Sequence, residues 1–251
     1  MHIMIIVSKN NPLVKELSAL KEKKFREKNG CFLVEGEKMV RECVKSGLKI
    51  RRLIMRDDYT GKEYGFDTVI LGADAFRCVC DEKTPQGIAA EVEIPRQILR
   101  KPQKPCLILD GVSDPANVGA IIRTAVAAGY SEIYCISCAD PYSPKSVRAS
   151  MSGVFFANIM QGTRDEILSA LQGVSFIAAD MDGENVFQFT PPELFALCIG
   201  NEGRGLSEEI FSRADHTVKI PMGSQTESLN AAVSAGILMY QLKKKEMLKR
   251  S

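Results

Sequence analysis

The chain has 251 residues, 45% of them hydrophobic and 25% charged, ordinary globular values that exclude a wholly disordered chain. No apolar run approaches the ~20 residues of a membrane-spanning helix, residues 1–7 are too short for a signal-peptide core, and eight cysteines without a secretory leader read as reduced thiols in the cytoplasm. The net charge of +2 hides a basic front: up to Arg56 there are 14 Lys and Arg against 6 Asp and Glu, which suits either a polyanion partner or a solvated lysine face.

Pro12 fits a helix start, with Leu13, Leu17 and Leu20 at helical spacing. An apolar strand at 31–34 precedes a helix over 37–46, and further strands fall at 53–55 and 68–71. A short helix and a strand at 87–92 complete a small α/β domain over 1–95. Pro95, Pro102 and Pro105, interleaved with basic residues, mark 96–105 as an exposed linker. Over 106–251, unbroken apolar strands at 106–109, 133–136, 175–179 and 194–199 alternate with helical stretches. A last helix runs from about Leu229 into Lys243, Lys244 and Lys245, which read as a solvated helix end. Such strands between helices predict a mostly parallel sheet covered on both faces, with ligands at the carboxyl ends of the strands.

Three stretches carry chemistry. In 109–125 a buried strand passes through a polar loop into a helix starting near Val118, with Asn117 at the N-cap position. Arg123 lies within the next two turns, amid Val, Gly, Ala and Ile, where a functional arginine is a better reading than a solvent one. In 199–209 Gly200, Gly203 and Gly205 directly follow a strand, so that backbone can approach a ligand. Their order is G-x-x-G-x-G, not the dinucleotide G-x-G-x-x-G, and no Lys-Ser/Thr follows as in a phosphate loop. Glu202 inside the loop would repel phosphate, so a neutral or cationic ligand fits better than an anion; a plain tight turn is the bland alternative. In 218–236 Ser228 is placed to cap the final helix, and Asn230 adds a polar side chain in its first turn. Ala231, Ala232, Ser234, Ala235 and Gly236 form a helix face small enough for another backbone to pass close by.

Together these stretches give Asn117-x-Gly119-x-x-x-Arg123, Gly200-Asn201-Glu202-Gly203-x-Gly205, and Ile220-Pro221-Met222 with Ser228-Leu229-Asn230. In that order and spacing the chain resembles the SpoU (TrmH-type) branch of the SPOUT methyltransferases, which transfer a methyl group from S-adenosylmethionine to a ribose 2′-hydroxyl of RNA. The resemblance covers 106–242; Ala231 stands where a valine is common and Ser234 where an alanine is common. It implies a C-terminal α/β methyltransferase domain tied in a trefoil knot, against the general rule that chains avoid knots. It places the cofactor against Ala179, Gly200, Ile220, Met222 and Leu229, and it implies a homodimer through the C-terminal domain. Asn117 then acts in its own site or its partner's. The front domain resembles the ribosomal-protein-like substrate-binding domain of rRNA-modifying members through 32–36 and 84–88, which favours ribosomal RNA over transfer RNA.

The resemblance also implies roles. A methyl group on a sulfonium leaves by in-line displacement, so no metal is needed; what the reaction lacks is a nucleophile. Arginine has a pKa above ~12 and is a poor base. Arg123 is therefore expected to hold the target phosphate and stabilise the developing alkoxide, with the proton passing to phosphate or water. Ser228 and Asn230 would orient the ribose, Asn117 complete the site, and Glu202 order Arg123 or the glycine loop. Lys21, Lys23, Lys24, Arg26 and Lys28 become RNA contacts. Without Trp, and with only six Tyr, recognition by shape and phosphate fits better than base stacking. A non-catalytic RNA-binding module and a dinucleotide oxidoreductase are the rivals; the intact polar set opposes the first and the glycine order the second. Cys135-x-x-Cys138 lacks the further ligands of a zinc site.

Overall fold

A computed structural model describes residues 5–225 and 228–248, apart from the side chain of Glu246. The chain divides into two compact units, Met1–Arg96 with Tyr142–Arg148, and Gln97–Pro141 with Ala149–Ser251. Among the described residues no helix is long and apolar enough to cross a membrane.

The first unit contains β1 (Ile5–Ile6), α1 (Pro12–Ala19), α2 (Lys23–Asn29), β2 (Cys31–Glu35), α3 (Glu37–Ser46), β3 (Ile50–Arg56), β4 (Thr68–Leu71), α4 (Ala73–Val79) and β5 (Ile88–Glu93). The strands form a mixed sheet in the order β1-β4-β3-β5-β2, with β5 antiparallel to both of its neighbours. Asn11 caps α1 by accepting from the Leu13 amide at 2.9 Å, Pro12 occupies its first turn, and Val14 and Leu17 face the core.

Helix α2 is absent from the sequence expectation, because Lys23-Lys24-Phe25-Arg26-Glu27-Lys28-Asn29 shows charge and no apolar periodicity. It alters the proposed RNA contacts. Arg26 is only 3% exposed, and its Nη1 donates to the Leu20 carbonyl at 2.7 Å. The expectation that Arg26 contacts RNA is therefore corrected: its guanidinium is part of the core packing around α2. Lys21 is half-buried and its Nζ donates to the Cys78 carbonyl at 2.7 Å. Lys23, Lys24 and Lys28 stand exposed.

The Tyr142–Arg148 segment, far along the sequence, packs with this unit. The Tyr142 ring lies 5.0 Å from that of Phe32, and Arg148 bridges Asp81 and Glu82 at 2.7 and 3.1 Å.

The second unit contains β6 (Cys106–Asp110), α5 (Pro115–Ala127), β7 (Glu132–Ile136), the end of α6 (Pro144–Ser150), α7 (Gly153–Phe156), β8 (Asn158–Gln161), α8 (Arg164–Ala170), β9 (Ser175–Asn185), β10 (Phe195–Gly200), α9 (Glu208–Ser212), β11 (His216–Lys219), α10 (Ala231–Leu242) and α11 (Lys244–Met247). Its sheet runs β11-β9-β10-β6-β7-β8, and every described pairing is parallel. The central strands β6 and β10 are apolar and buried nearly end to end, as a sheet covered on both faces requires. The edge strands β8 and β11 go unmarked in the sequence because each is four residues long and at least half polar.

Two helix starts differ from expectation. Helix α5 begins three residues earlier, with Pro115 in its first turn and Asp114 as the cap accepting from Ala116 at 2.9 Å. Asn117 thus lies inside the helix, 9% exposed. Helix α10 is capped by Asn230, which accepts from the amides of Ala232 and Val233 at 2.9 and 3.3 Å, and Ser228 stays in the loop before it. Lys243 is also not a solvated tail residue. It is 3% exposed, donates to the Gly129 carbonyl at 3.1 Å and sits 4.7 Å from the Tyr130 ring centroid.

Candidate active site

A cleft of about 880 Å³ opens at the carboxyl end of β10, beside the middle of β9 and the loop after β11, within the ~300–1,000 Å³ typical of small-molecule sites. Ala179, Gly200, Ile220, Met222 and Leu229 all line it, together with Glu202 and Ser228. A smaller pocket of about 330 Å³, between residues 187–195 and 241–245, holds none of these side chains.

Local backbone geometry shapes the cleft. The pairing of β9 with β11 jumps from Ala178–Thr217 to Glu184–Val218, so residues 179–183 bulge out of the sheet. Gly183 makes this possible, since a Cβ there would lie 2.6 Å from the Val218 backbone. The loop after β10 folds back on itself. Asn201 and Gly205 exchange backbone hydrogen bonds of 2.9 and 3.0 Å, and a Cβ on Gly200 would lie 2.2 Å from the Gly205 carbonyl carbon.

Asn201 organises this loop. Its Oδ1 accepts from the amides of Gly203 and Arg204 at 2.9 and 3.1 Å, while its Nδ2 donates to the Gly111 carbonyl at 2.8 Å. Sequence reasoning passed over Asn201; the available signal was an Asn within a glycine turn, where its side chain commonly bonds the backbone two residues on.

Glu202 ties the same loop to the start of α5. It accepts from the Ser113 amide and hydroxyl at 3.1 and 2.9 Å, the Asp114 amide at 3.2 Å and Asn117 Nδ2 at 2.8 Å. Asn117 Oδ1 in turn accepts from Asn230 Nδ2 at 3.0 Å, so one chain of bonds joins three sequence-distant motifs. Burial works against the charged form of Glu202, but the bonds from Asn117, its own amide and Ser113 outweigh it and hold the carboxyl down to about 2.

Arg123 stands apart from this network. It lies exposed on α5, outside the cleft lining, and its guanidinium has no hydrogen bond or ion pair among the described residues. The helix backbone behind it is fixed, because α7 packs so close that a Cβ on Gly153 would lie 2.9 Å from Arg123 Cα. The arrangement is a ligand cleft with a rigid polar rim, next to a helix that presents one uncommitted cation.

Residues 104–240, more than half the chain, match the family model described as the SpoU rRNA Methylase family. The chain belongs to the SpoU rRNA methylase family. Residues 11–90 match a second model, the MRM3-like substrate binding domain. Among curated proteins it is 34% identical to the 23S rRNA (guanosine(2553)-2′-O)-methyltransferase RlmP of Bacillus subtilis, over 95% of this chain and 98% of that one. It is 27% identical to the 23S rRNA (uridine(2479)-2′-O)-methyltransferase of Streptomyces viridochromogenes, over 94% and 90%. Among solved structures, the AdoMet-bound rRNA methyltransferase from Sinorhizobium meliloti superposes with a TM-score of 0.87 at 28% identity, covering 96% of this chain and 98% of that one. The α/β fold with a mostly parallel second sheet is thus that of SpoU methyltransferases.

The cleft also fits the methyl donor of this family. Ile220, Met222 and Leu229 give it an apolar wall, and the bare backbone at Gly200 permits close approach. Its lining carries charge of both signs, Asp180 and Glu202 against Arg204 and Lys219, which suits a ligand that bears both cationic groups and a carboxylate. Among the described residues no three His, Cys, Asp or Glu side chains are grouped to hold a metal ion.

Proposed function

We propose that this protein methylates a ribose 2′-hydroxyl of ribosomal RNA with S-adenosylmethionine as donor. One observation carries the reading: the residues named for the cofactor, from three loops far apart in the sequence, line a single cleft, and Glu202 links that cleft through Asn117 to Asn230. The ribosomal RNA relatives named above support the substrate class. When bound, the donor supplies a methyl group on a cationic sulfur, which makes displacement by an oxygen nucleophile favourable.

The protein's own part is to place and activate that oxygen. Arg123, without a hydrogen-bond or ion-pair partner among the described residues, holds the target phosphate and stabilises negative charge developing on the 2′-oxygen; the proton leaves to phosphate or water. Asn230 has its Oδ1 on the amides of α10 and its Nδ2 on Asn117, so it positions rather than binds. Ser228, exposed at the cleft, is the hydroxyl available to orient the ribose. Glu202 orders the 113–117 segment ahead of Arg123.

In this reading residues 1–95 bind RNA, 96–105 connect, and 106–251 form the methyltransferase domain. Exposed Lys23, Lys24 and Lys28 supply phosphate contacts. The trefoil and a homodimer belong to the same reading. Gly236 lets α10 lie close to α5, where a Cβ would be 3.4 Å from Thr124 Cγ2, and Val233 and Tyr240, exposed by 51% and 45%, leave apolar surface on α10 for a second copy. The setting is the cytoplasm, where ribosomal RNA is modified.

The test is transfer of labelled methyl from S-adenosylmethionine to unmodified ribosomal RNA, with transfer RNA in parallel. Incorporation into ribosomal RNA is the expected result. Incorporation into transfer RNA alone would overturn the substrate, and none into either, with the cofactor bound, would overturn the enzymatic reading.

A further inference from the structure

Asp110 has no part in the chemistry above, yet it ends β6 with only 3% of its surface exposed. Its Oδ2 accepts from the amide and the hydroxyl of Ser207, at 2.7 and 2.6 Å. Its Oδ1 accepts from Arg164 Nη2 at 3.4 Å, while Arg164 Nη1 reaches Glu209 Oε1 at 3.4 Å.

Ser207 stands at the N-cap of α9, where a serine hydroxyl ordinarily accepts from an amide of the first turn. Here it caps nothing and is committed to Asp110 instead. The contact therefore serves the loop that ends at Ser207, not the helix that begins there. That loop leaves the sheet at Gly200, which pairs with Asp110 in the β10–β6 ladder. One buried carboxylate thus lies beside the point of departure and grips the point of return. Asn201, bonded to the Gly111 carbonyl, anchors the loop one residue further on.

We propose that Asp110 is a positioning residue for the cofactor: through Ser207 it holds the Gly200–Ser207 loop in the folded-back shape that lines the cleft. The proposal rests on the functional reading given above. Replacing the carboxylate by an amide sets an N–H donor either against the Ser207 amide and hydroxyl, which breaks the closing contact, or against Arg164, which leaves that contact only as a weaker, uncharged bond.

The experiment is calorimetric titration of S-adenosylmethionine into the full-length wild type, D110N, S207A and the double variant, with kcat, the KM for cofactor and thermal melts on each. D110N should weaken cofactor binding roughly tenfold or more, and kcat should fall by a smaller factor than KM rises. S207A should show part of that effect, and the double variant should be no worse than D110N, because both cut one contact. A folded D110N that binds cofactor like the wild type would overturn the proposal, as would independent, multiplying effects of the two substitutions. If D110N does not fold, S207A decides: unchanged affinity there overturns it. A wild type that fails to bind the cofactor would instead overturn the functional reading, and this proposal with it.

Discussion

At the level of single residues, the group proposed to act on RNA differs from those that hold the loops of the cleft. Arg123 is exposed and has no partner among the described residues, whereas Glu202, Asn117 and Asn230 bond to one another. Arg123→Ala should therefore lower kcat by about 10²–10³-fold, the usual loss of one donor to a developing oxyanion, while calorimetry finds cofactor affinity unchanged. Affinity falling in step with rate would remove Arg123 from the chemistry. Glu202 makes a different prediction. Its carboxyl is held down to about 2 in the folded chain, against an ordinary value of 4.5. A depressed carboxylate stabilises fully above its unfolded value and loses that contribution as pH falls towards the folded one. Melting temperature should thus carry a Glu202-dependent decline between about pH 4.5 and 2, flattened in Glu202→Gln. Identical profiles for the two proteins would refute the assignment. Glu202, Asn117 and Asn230 stand out in the sequence as candidates, whereas Asn201 and the bonds that join them do not. Glu202 reaches 89 positions back to Ser113, a partner that no spacing rule could supply.

At the scale of elements, strands with unbroken apolar runs were readable and the polar or charged elements were not. Cys106–Asp110 and Phe195–Gly200 announce themselves through apolar runs, 106–109 and 195–199, because a sheet buried on both faces favours apolar side chains at nearly every position. Helix α2 and strands β8 and β11 lack that signature, and tertiary pairing decides them. Helix caps were misplaced for a related reason: Asn117 and Ser228 are good caps by type, but Pro115 and Asn230 fixed the true starts. The glycine loop supplies the sharpest test at this scale. Gly200→Ala would put a methyl group 2.2 Å from the Gly205 carbonyl carbon. Opening the loop should cost about 1–3 kcal/mol and weaken cofactor binding while the sheet's circular dichroism persists. At the other end of the domain, Lys243→Ala removes a charged donor from the Gly129 carbonyl. Urea unfolding should show a loss of about 1.5–3 kcal/mol, against near zero if the tail were merely solvated.

At the scale of the whole molecule, the basic front is smaller than its charge implies. Lys21 and Arg26 turn inward to the carbonyls of Cys78 and Leu20, so Lys23, Lys24 and Lys28 carry the expected RNA contact. Replacing those three by Ala should weaken RNA binding and flatten its salt dependence by about one unit of slope per lost contact, leaving cofactor affinity intact. Unchanged salt dependence would place the RNA elsewhere. Substitution is a cleaner test than deleting residues 1–95, because Tyr142 and Arg148 have their partners Phe32, Asp81 and Glu82 there. The proposed activity turns on which atom receives the methyl group. The most direct measurement is alkaline digestion of labelled ribosomal RNA product, since a methylated 2′-oxygen cannot attack its own phosphodiester. Label in alkali-resistant dinucleotides is the expected result. Label released in mononucleotides would place the methyl on a base and contradict it.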